Sequence, residues 1–293
     1  MPGDDRTIFV TGSTGKQGGA VARHLLDKGY TVRALTRHPD KPAARELAAA
    51  GAQIVHGDLD DPSSYRSALS GTHGVFSVQN FWEGGYDGEV REGVALADAA
   101  KAAGINHFVY SSVASAQRKT GLSHFESKWN IEQHIRAIGI PHTIVRPVFF
   151  MDNWQFFGRD YILAGTLSLP LSPGTELEQI AVDDIGAFVT LAFERPDRWL
   201  GRELDIAGDK RAMEDIAAAF GQVIGRPVQY VQMPWEQFQA TAGEEQTKML
   251  RWFEDVGYDA DIAAVRREHP ALLDLESYLR RAGWAGAKTE AKT

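Results

Sequence analysis

The segment Thr11-Gly12-Ser13-Thr14-Gly15-Lys16-Gln17-Gly18 restricts the fold more than any other stretch of the chain. It follows an apolar, β-branched run at 7–11 and opens a segment at 18–28 whose apolar residues recur at helical spacing and which stops at Gly29. Glycines spaced G-x-x-G-x-x-G between a strand and a helix have separate tasks. Gly12 permits a tight turn, Gly15 lets the backbone approach a pyrophosphate, and Gly18 lets the helix pack close to the sheet. The first-turn N–H groups and the positive end of the helix dipole then face an anion. The competing reading is three glycines in an ordinary strand–helix loop, and the rest of the first half weakens it.

Runs at 30–36, 53–56, 74–78, 107–111 and 142–146 read as further strands. Between them 43–50, 65–69, 90–103 and 125–138 read as helices, with Gly104 and Gly139 at two of their ends, where a left-handed residue costs least. Strands alternating with helices imply right-handed βαβ units and a parallel sheet. The expected fold is α/β, a Rossmann-type doubly wound parallel sheet with a smaller, mostly helical C-terminal annex. After Pro147 the rhythm changes: 149–163 is aromatic-rich, 167–174 holds two prolines and reads as a loop, and Asp183 is placed to cap a helix over 183–193. A strand is expected at 204–207, then helices with one strand near 228–233. The division drawn is a dinucleotide-binding domain at 1–150, with return segments near 179–207, and an annex for substrate or partner at 151–293 whose small, polar tail at 285–293 reads as disordered.

Composition limits the function classes. A net charge of −8 and a pI near 5.6 argue against a nucleic-acid binder or a protein held on anionic membranes. There is no cysteine, hence no disulfide or thiolate metal site. Neither a signal-peptide pattern nor a long apolar span is visible, so a cytoplasmic protein is expected. The nine histidines show no ligand spacing, and no metal is expected.

The residues that choose the dinucleotide follow the second strand. An acidic residue there would bond the ribose 2′-hydroxyl of NAD, but this chain has Arg37, with Lys41 in reach. A guanidinium pairs with a 2′-phosphate through two hydrogen bonds, so NADP(H) is the expected cofactor, with NAD(H) as the second choice. Asp58 and Leu59, after the third strand, are placed to meet the adenine; Asp58 reads equally well as a capping residue. Val78, Gln79 and Asn80 after the fourth strand, Ser111 in the fifth, and Pro147 and Phe149 after the sixth complete the expected cofactor cleft. Phe81-Trp82 and the group Phe149, Phe150, Trp154, Phe156 and Phe157 could wall an apolar pocket or form core. Glu83-Gly84-Gly85-Tyr86 reads as a mobile loop. Trp235, Phe238, Met249, Trp252 and Phe253 fit an annex core or a partner surface.

The series TGSTGKQG, GDLDDP, VFSVQNFWE, HFVYSSV, HFESK, IVRPVFFMDN and QIAVDDIGAF resembles the NmrA-like group of atypical short-chain dehydrogenases/reductases, from about residue 7 to 208. It is most similar to the branch of NADP(H)-sensing redox regulators; other members reduce quinones and similar acceptors. Active short-chain dehydrogenases of this kind carry Tyr-x-x-x-Lys, whose lysine holds the nicotinamide ribose and lowers the tyrosine pKa. The matching segment here is His124-Phe125-Glu126-Ser127-Lys128. The resemblance therefore implies Lys128 as ribose ligand and puts His124 where the proton-transferring tyrosine would be, while Val113 stands at the usual serine position. Losing that tyrosine argues against alcohol–ketone chemistry more than against reduction of activated acceptors, which water can protonate.

Two functions are expected from these residues. The first is an NADP(H)-binding redox sensor or regulator acting on a protein partner. The second is an NAD(P)H-dependent oxidoreductase on a quinone-like or aromatic carbonyl acceptor, in biosynthesis or detoxification. A homodimer is compatible with both.

Overall fold

The computed structural model describes residues 6–287. In chain order the elements are β1 (Thr7–Val10), α1 (Lys16–Asp27), β2 (Thr31–Thr36), α2 (Pro42–Ala49), β3 (Gln53–His56), α3 (Pro62–Tyr65), β4 (Gly74–Ser77), α4 (Phe81–Ala102), β5 (His107–Ser111), α5 (Ser123–Ile138) and β6 (His142–Pro147). They are followed by β7 (Phe149–Phe150), α6 (Arg159–Leu163), β8 (Thr166–Leu169), β9 (Glu176–Ile180), α7 (Val182–Glu194), α8 (Pro196–Trp199), β10 (Glu203–Ile206) and β11 (Asp209–Ala212). The last are α9 (Met213–Ile224), β12 (Gln229–Gln232), α10 (Trp235–Ala242), α11 (Glu244–Asp255), α12 (Ile262–Glu268) and α13 (Leu275–Arg281).

Two compact units result: one from the residues through Arg146 together with Ile185–Asp205, the other from Pro147–Asp184 and the residues from Ile206 on. The first holds a seven-stranded sheet in the order β10-β6-β5-β4-β1-β2-β3. From β6 through β3 every neighbouring pair is parallel, with β1 lying between β2 and β4 in registers Ile8↔Val32 and Ile8↔Gly74. The order reverses between β1 and β4, and a crevice outside the strand ends at such a point is where doubly wound sheets take their ligands. This is the Rossmann-type α/β fold expected from the alternation. Central strands are covered on both faces, so β1, β4 and β5 are buried throughout, whereas the edge strand β3 exposes Gln53 and His56. Phe9, Val75, Phe108, Tyr110, Ile131 and Ile144 belong to one core cluster of this unit.

The second unit pairs β9 with β7 in parallel and with β11 antiparallel, and pairs β8 with β12 in parallel. Its interior is aromatic. Trp154, Phe220 and Trp284 meet edge to face, and Phe149 packs against Trp154 and Phe253. Phe149 and Trp154 are therefore core here, while Phe156 is largely exposed.

Some elements differ from expectation. The stretch 83–86 lies inside α4, which starts at Phe81 and is kinked where Gly85 takes φ +64°; its paired glycines made it read as a loop. Over 167–174, β8 occupies the first residues. Strand β9 reads as polar yet is buried from Leu177 to Ile180, because Glu178 accepts from the Ala260 N–H (3.1 Å) and Gln179 from the Trp154 indole (2.6 Å). Asp183 sits in the first turn of α7 rather than before it. Of the tail expected to be disordered, 285–287 form a turn following the buried Trp284, and 288–293 lie outside the described residues. No helix among the described residues is long and apolar enough to cross a membrane.

Candidate functional site

The glycine loop leaves β1 and is pinned to its neighbours. The Thr11 hydroxyl donates to the Val78 carbonyl (3.0 Å) and accepts from the Val78 N–H (2.9 Å), and the Ser13 hydroxyl donates to the Leu35 carbonyl (2.7 Å). Gly12 has φ +58°, and its carbonyl accepts from the Gly15 N–H at 2.8 Å, which closes the turn. A Cβ on Gly18 would lie 2.4 Å from the backbone of Thr11 and Gly12, a clash no rotamer relieves. Helix α1 therefore sits directly on the loop. Gly15 is its N-cap and, having no side chain, supplies no side-chain cap to the first turn. Thr14, Gly15 and Lys16 are exposed beside them.

At the end of β2, the Arg37 guanidinium donates to Glu83 Oε2 at 2.5 Å. Asn80 donates to the other Glu83 oxygen (3.1 Å) while its own Oδ1 caps α4 at the Trp82 N–H (3.2 Å). These hydrogen bonds, Arg37 first, hold the Glu83 carboxyl below the usual range, and Lys41 adds to the effect by its charge. Asp58 accepts from the Asp60 N–H (3.2 Å), and Leu59 is partly buried on the core; the cap of α3 is Asp61, not Asp58. Facing Asp60 and Asp58, the half-buried Glu92 carboxyl is pushed up to about 7, by burial first and by those two charges second.

Beyond β4 and β5 the polar groups face one another. The Ser111 hydroxyl donates to Gln17 Oε1 (2.6 Å), joining strand to glycine loop. Gln79, 7% exposed, donates to Ser77 Oγ (3.0 Å), and its Oε1 is buried with no hydrogen-bond partner. An orphaned acceptor of this kind fits a ribose hydroxyl or a carboxamide N–H. On α5, Lys128 is ion-paired with Glu89 of α4, whose other oxygen accepts from Ser127. His124 is buried, with ring centroids 5.5 Å from both Phe81 and Trp82 and 4.8 Å from Phe125. Of the expected positions, those from Gly12 to Lys128 belong to the first unit; Pro147 ends β6, and Phe149 lies in the core of the second.

The uncapped N-terminus of α1, the unpartnered Gln79 oxygen and the Arg37 cation suit the phosphates, polar half and 2′-position of a nicotinamide dinucleotide. Among the described residues no group of three or more His, Cys, Asp or Glu could hold a metal ion. Two acidic residues of α4, Glu89 and Glu92, escaped sequence reasoning, and Glu83 entered it only as part of a loop. Glu89 left one trace, a carboxylate in phase with Gly93, Leu96, Ala97 and Ala100 on the buried face of the helix.

The sequence matches the NmrA-like family over residues 4–279. Its relatives include an NmrA-like family domain-containing oxidoreductase from a Cladobotryum species, 31% identical over 261 residues and covering 79% of this chain and 78% of that one. An NAD(P)H azoreductase from Xenophilus azovorans is 32% identical over 231 residues, covering 78% of each. Among solved structures, the negative transcriptional regulator NmrA in complex with NADP superposes with a TM-score of 0.77 at 23% identity over 95% of each chain. The matched span takes in the glycine loop and the α4 and α5 segments described above, and the chain accordingly belongs to the NmrA-like family.

Proposed function

We infer that this protein binds NADP(H) at the glycine loop and uses it as an oxidoreductase on a planar, activated acceptor of the azo or quinone type. The observation that carries the binding is Gly18, whose missing Cβ seats the uncapped end of α1 against the Thr11–Gly12 backbone and so opens an anion site at the sheet's switch point. Gln17, Gln79, Ser111 and Lys128 would hold the nicotinamide half, Arg37 and Lys41 the 2′-phosphate, and Asp58 and Leu59 the adenine side. When bound, the reduced nicotinamide supplies a hydride, two electrons and one proton equivalent at carbon.

The acceptor class follows from position 124. No phenol stands there, and the imidazole is enclosed by Phe81, Trp82 and Phe125. An acceptor whose reduced form takes its proton from water fits such a site, whereas a ketone needing an acid in the transition state does not. Trp82, 58% exposed beside His124, offers a ring face to a flat acceptor. The relatives above 30% identity that are named for an oxidoreductase activity support this reading. The sensor reading, in which NADP(H) occupancy is relayed to a protein partner, draws on the same missing tyrosine and on the fold shared with the NADP-bound regulator.

The test is calorimetric NADPH binding by wild type and G18A, followed in the same preparation by NADPH oxidation with azo dyes and quinones. Binding lost in G18A and turnover with one acceptor class is the expected result. Tight binding without turnover across the panel would reject the enzyme reading in favour of the sensor, and wild-type binding by G18A would overturn both.

A further inference from the structure

Glu89 is a carboxylate where a helix should be apolar. It shares the buried face of α4 with Gly93, Leu96 and Ala97 and is itself 0% exposed. A carboxylate persists in such a place only when paired and hydrogen-bonded. Both oxygens are engaged from α5, one by the Lys128 ammonium and the other by the Ser127 hydroxyl. The contact exists because α4 and α5 approach closely one turn further along, where a Cβ on Gly93 would stand 2.6 Å from Ile131 Cδ1. Gly93 lies one turn after Glu89, and Ile131 one turn after Ser127 and Lys128, so close packing and ion pair use the same two helix faces.

An ammonium has three N–H donors. Here one is committed to Glu89, and the Lys128 side chain, only 14% exposed, is held in a narrow arc instead of sampling the rotamers of a surface lysine. We propose that Glu89 is a positioning residue of the dinucleotide site: its buried carboxylate fixes Lys128 so that the two remaining donors are presented to the hydroxyls of the nicotinamide ribose. This rests on the reading of Lys128 as the ribose ligand. Glu89 itself touches no ligand and acts only through the lysine, as outer partners do when they orient a binding group.

The experiment is calorimetric titration of full-length wild type, E89Q, E89D, K128M and E89Q/K128M with two probes: NADPH, and adenosine 2′,5′-bisphosphate, which carries the phosphorylated adenosine half but no nicotinamide ribose. E89Q is expected to weaken NADPH about tenfold, the scale of losing an orienting partner, and to bind the bisphosphate as wild type does. E89D keeps the charge at shorter reach and recovers part of the loss. K128M weakens NADPH at least as much, and the double variant weakens it no further. Equal losses for both probes in E89Q would overturn the proposal, because a merely structural role moves them together. K128M weakened with E89Q unchanged would overturn it while leaving the lysine reading intact, and K128M unchanged would remove both. If E89Q does not fold, E89D carries the same comparison.

Discussion

At the scale of single residues, the proposed preference for NADP(H) rests on a competition. Arg37 is the only side chain at the end of β2 with the fork geometry that a 2′-phosphate needs, yet its guanidinium is engaged by Glu83 at 2.5 Å. An incoming phosphate competes with that carboxylate for the guanidinium and is repelled by its charge, whereas a bare 2′-hydroxyl is not. R37A is therefore expected to weaken NADPH by about tenfold or more, some 1.4 kcal/mol, and NADH little. E83Q removes the competitor and is expected to tighten NADPH by about two- to fivefold, the scale of an exposed ion pair. Titrating both variants with both cofactors checks this, and equal changes for NADPH and NADH would remove Arg37 from the 2′-position. The arginine was legible in the sequence. Its partner was not, because 46 residues separate the two and only the sheet order brings β2 and the start of α4 side by side.

Among the elements, α4 supplies the partners of several candidate site residues. Its first turn carries Asn80 as cap, the Phe81 and Trp82 rings and Glu83; Gly85 then breaks the direction, and the body presents Glu89 to α5 and Glu92 to Asp58 and Asp60. The Glu92 carboxyl titrates near 7 in the folded chain against 4.5 for a free glutamate, chiefly because it is buried. The folded state then holds a proton that the unfolded state has already released, so stability is full below about 4.5 and falls as pH rises to about 7. With the group partly exposed, screening reduces the loss to about 1–2 kcal/mol. E92Q is expected to flatten the wild-type decline in denaturation midpoint across that window; a decline of the same size in E92Q would assign it to other groups. The kink hid the first turn of α4 from periodicity, since two adjacent glycines are what a loop also looks like.

For the molecule as a whole, the sheet is completed by a segment that returns after a long excursion, and buried charge fastens it. Arg146 at the end of β6 donates to both oxygens of Glu132 on α5 (2.8 and 2.7 Å) and to Glu203 on β10 (2.5 Å), and Arg136 donates twice more to Glu203. Asp205 joins by accepting from the Ser115 N–H at 3.1 Å, and its carboxyl is raised by burial despite Arg146 nearby. Glu132 is 0% exposed, so R146M strands a carboxylate with Arg136 alone and is expected to cost about 3–5 kcal/mol in denaturant unfolding. R146M/E132L, which removes both charges, is expected to regain most of it. A loss below about 1 kcal/mol in R146M would show that the network does not hold β10.

The parallel sheet, the glycine loop, Arg37 and the NmrA-like resemblance are legible before any folding is considered, because each is written locally: period-two and helical runs, glycines at steric pinch points, a cation just past a strand. Lys128 is legible too, through the HFESK segment. What those residues face depends on the folded chain. Glu83 on Arg37, Glu89 on Lys128, Glu92 against Asp58 and Asp60, and Phe149 in an aromatic core of the second unit are all meetings between elements far apart in the chain. A carboxylate carries no local sign of the partner that will compensate it; that is set by which strands are neighbours and by how closely Gly93 lets two helices pack.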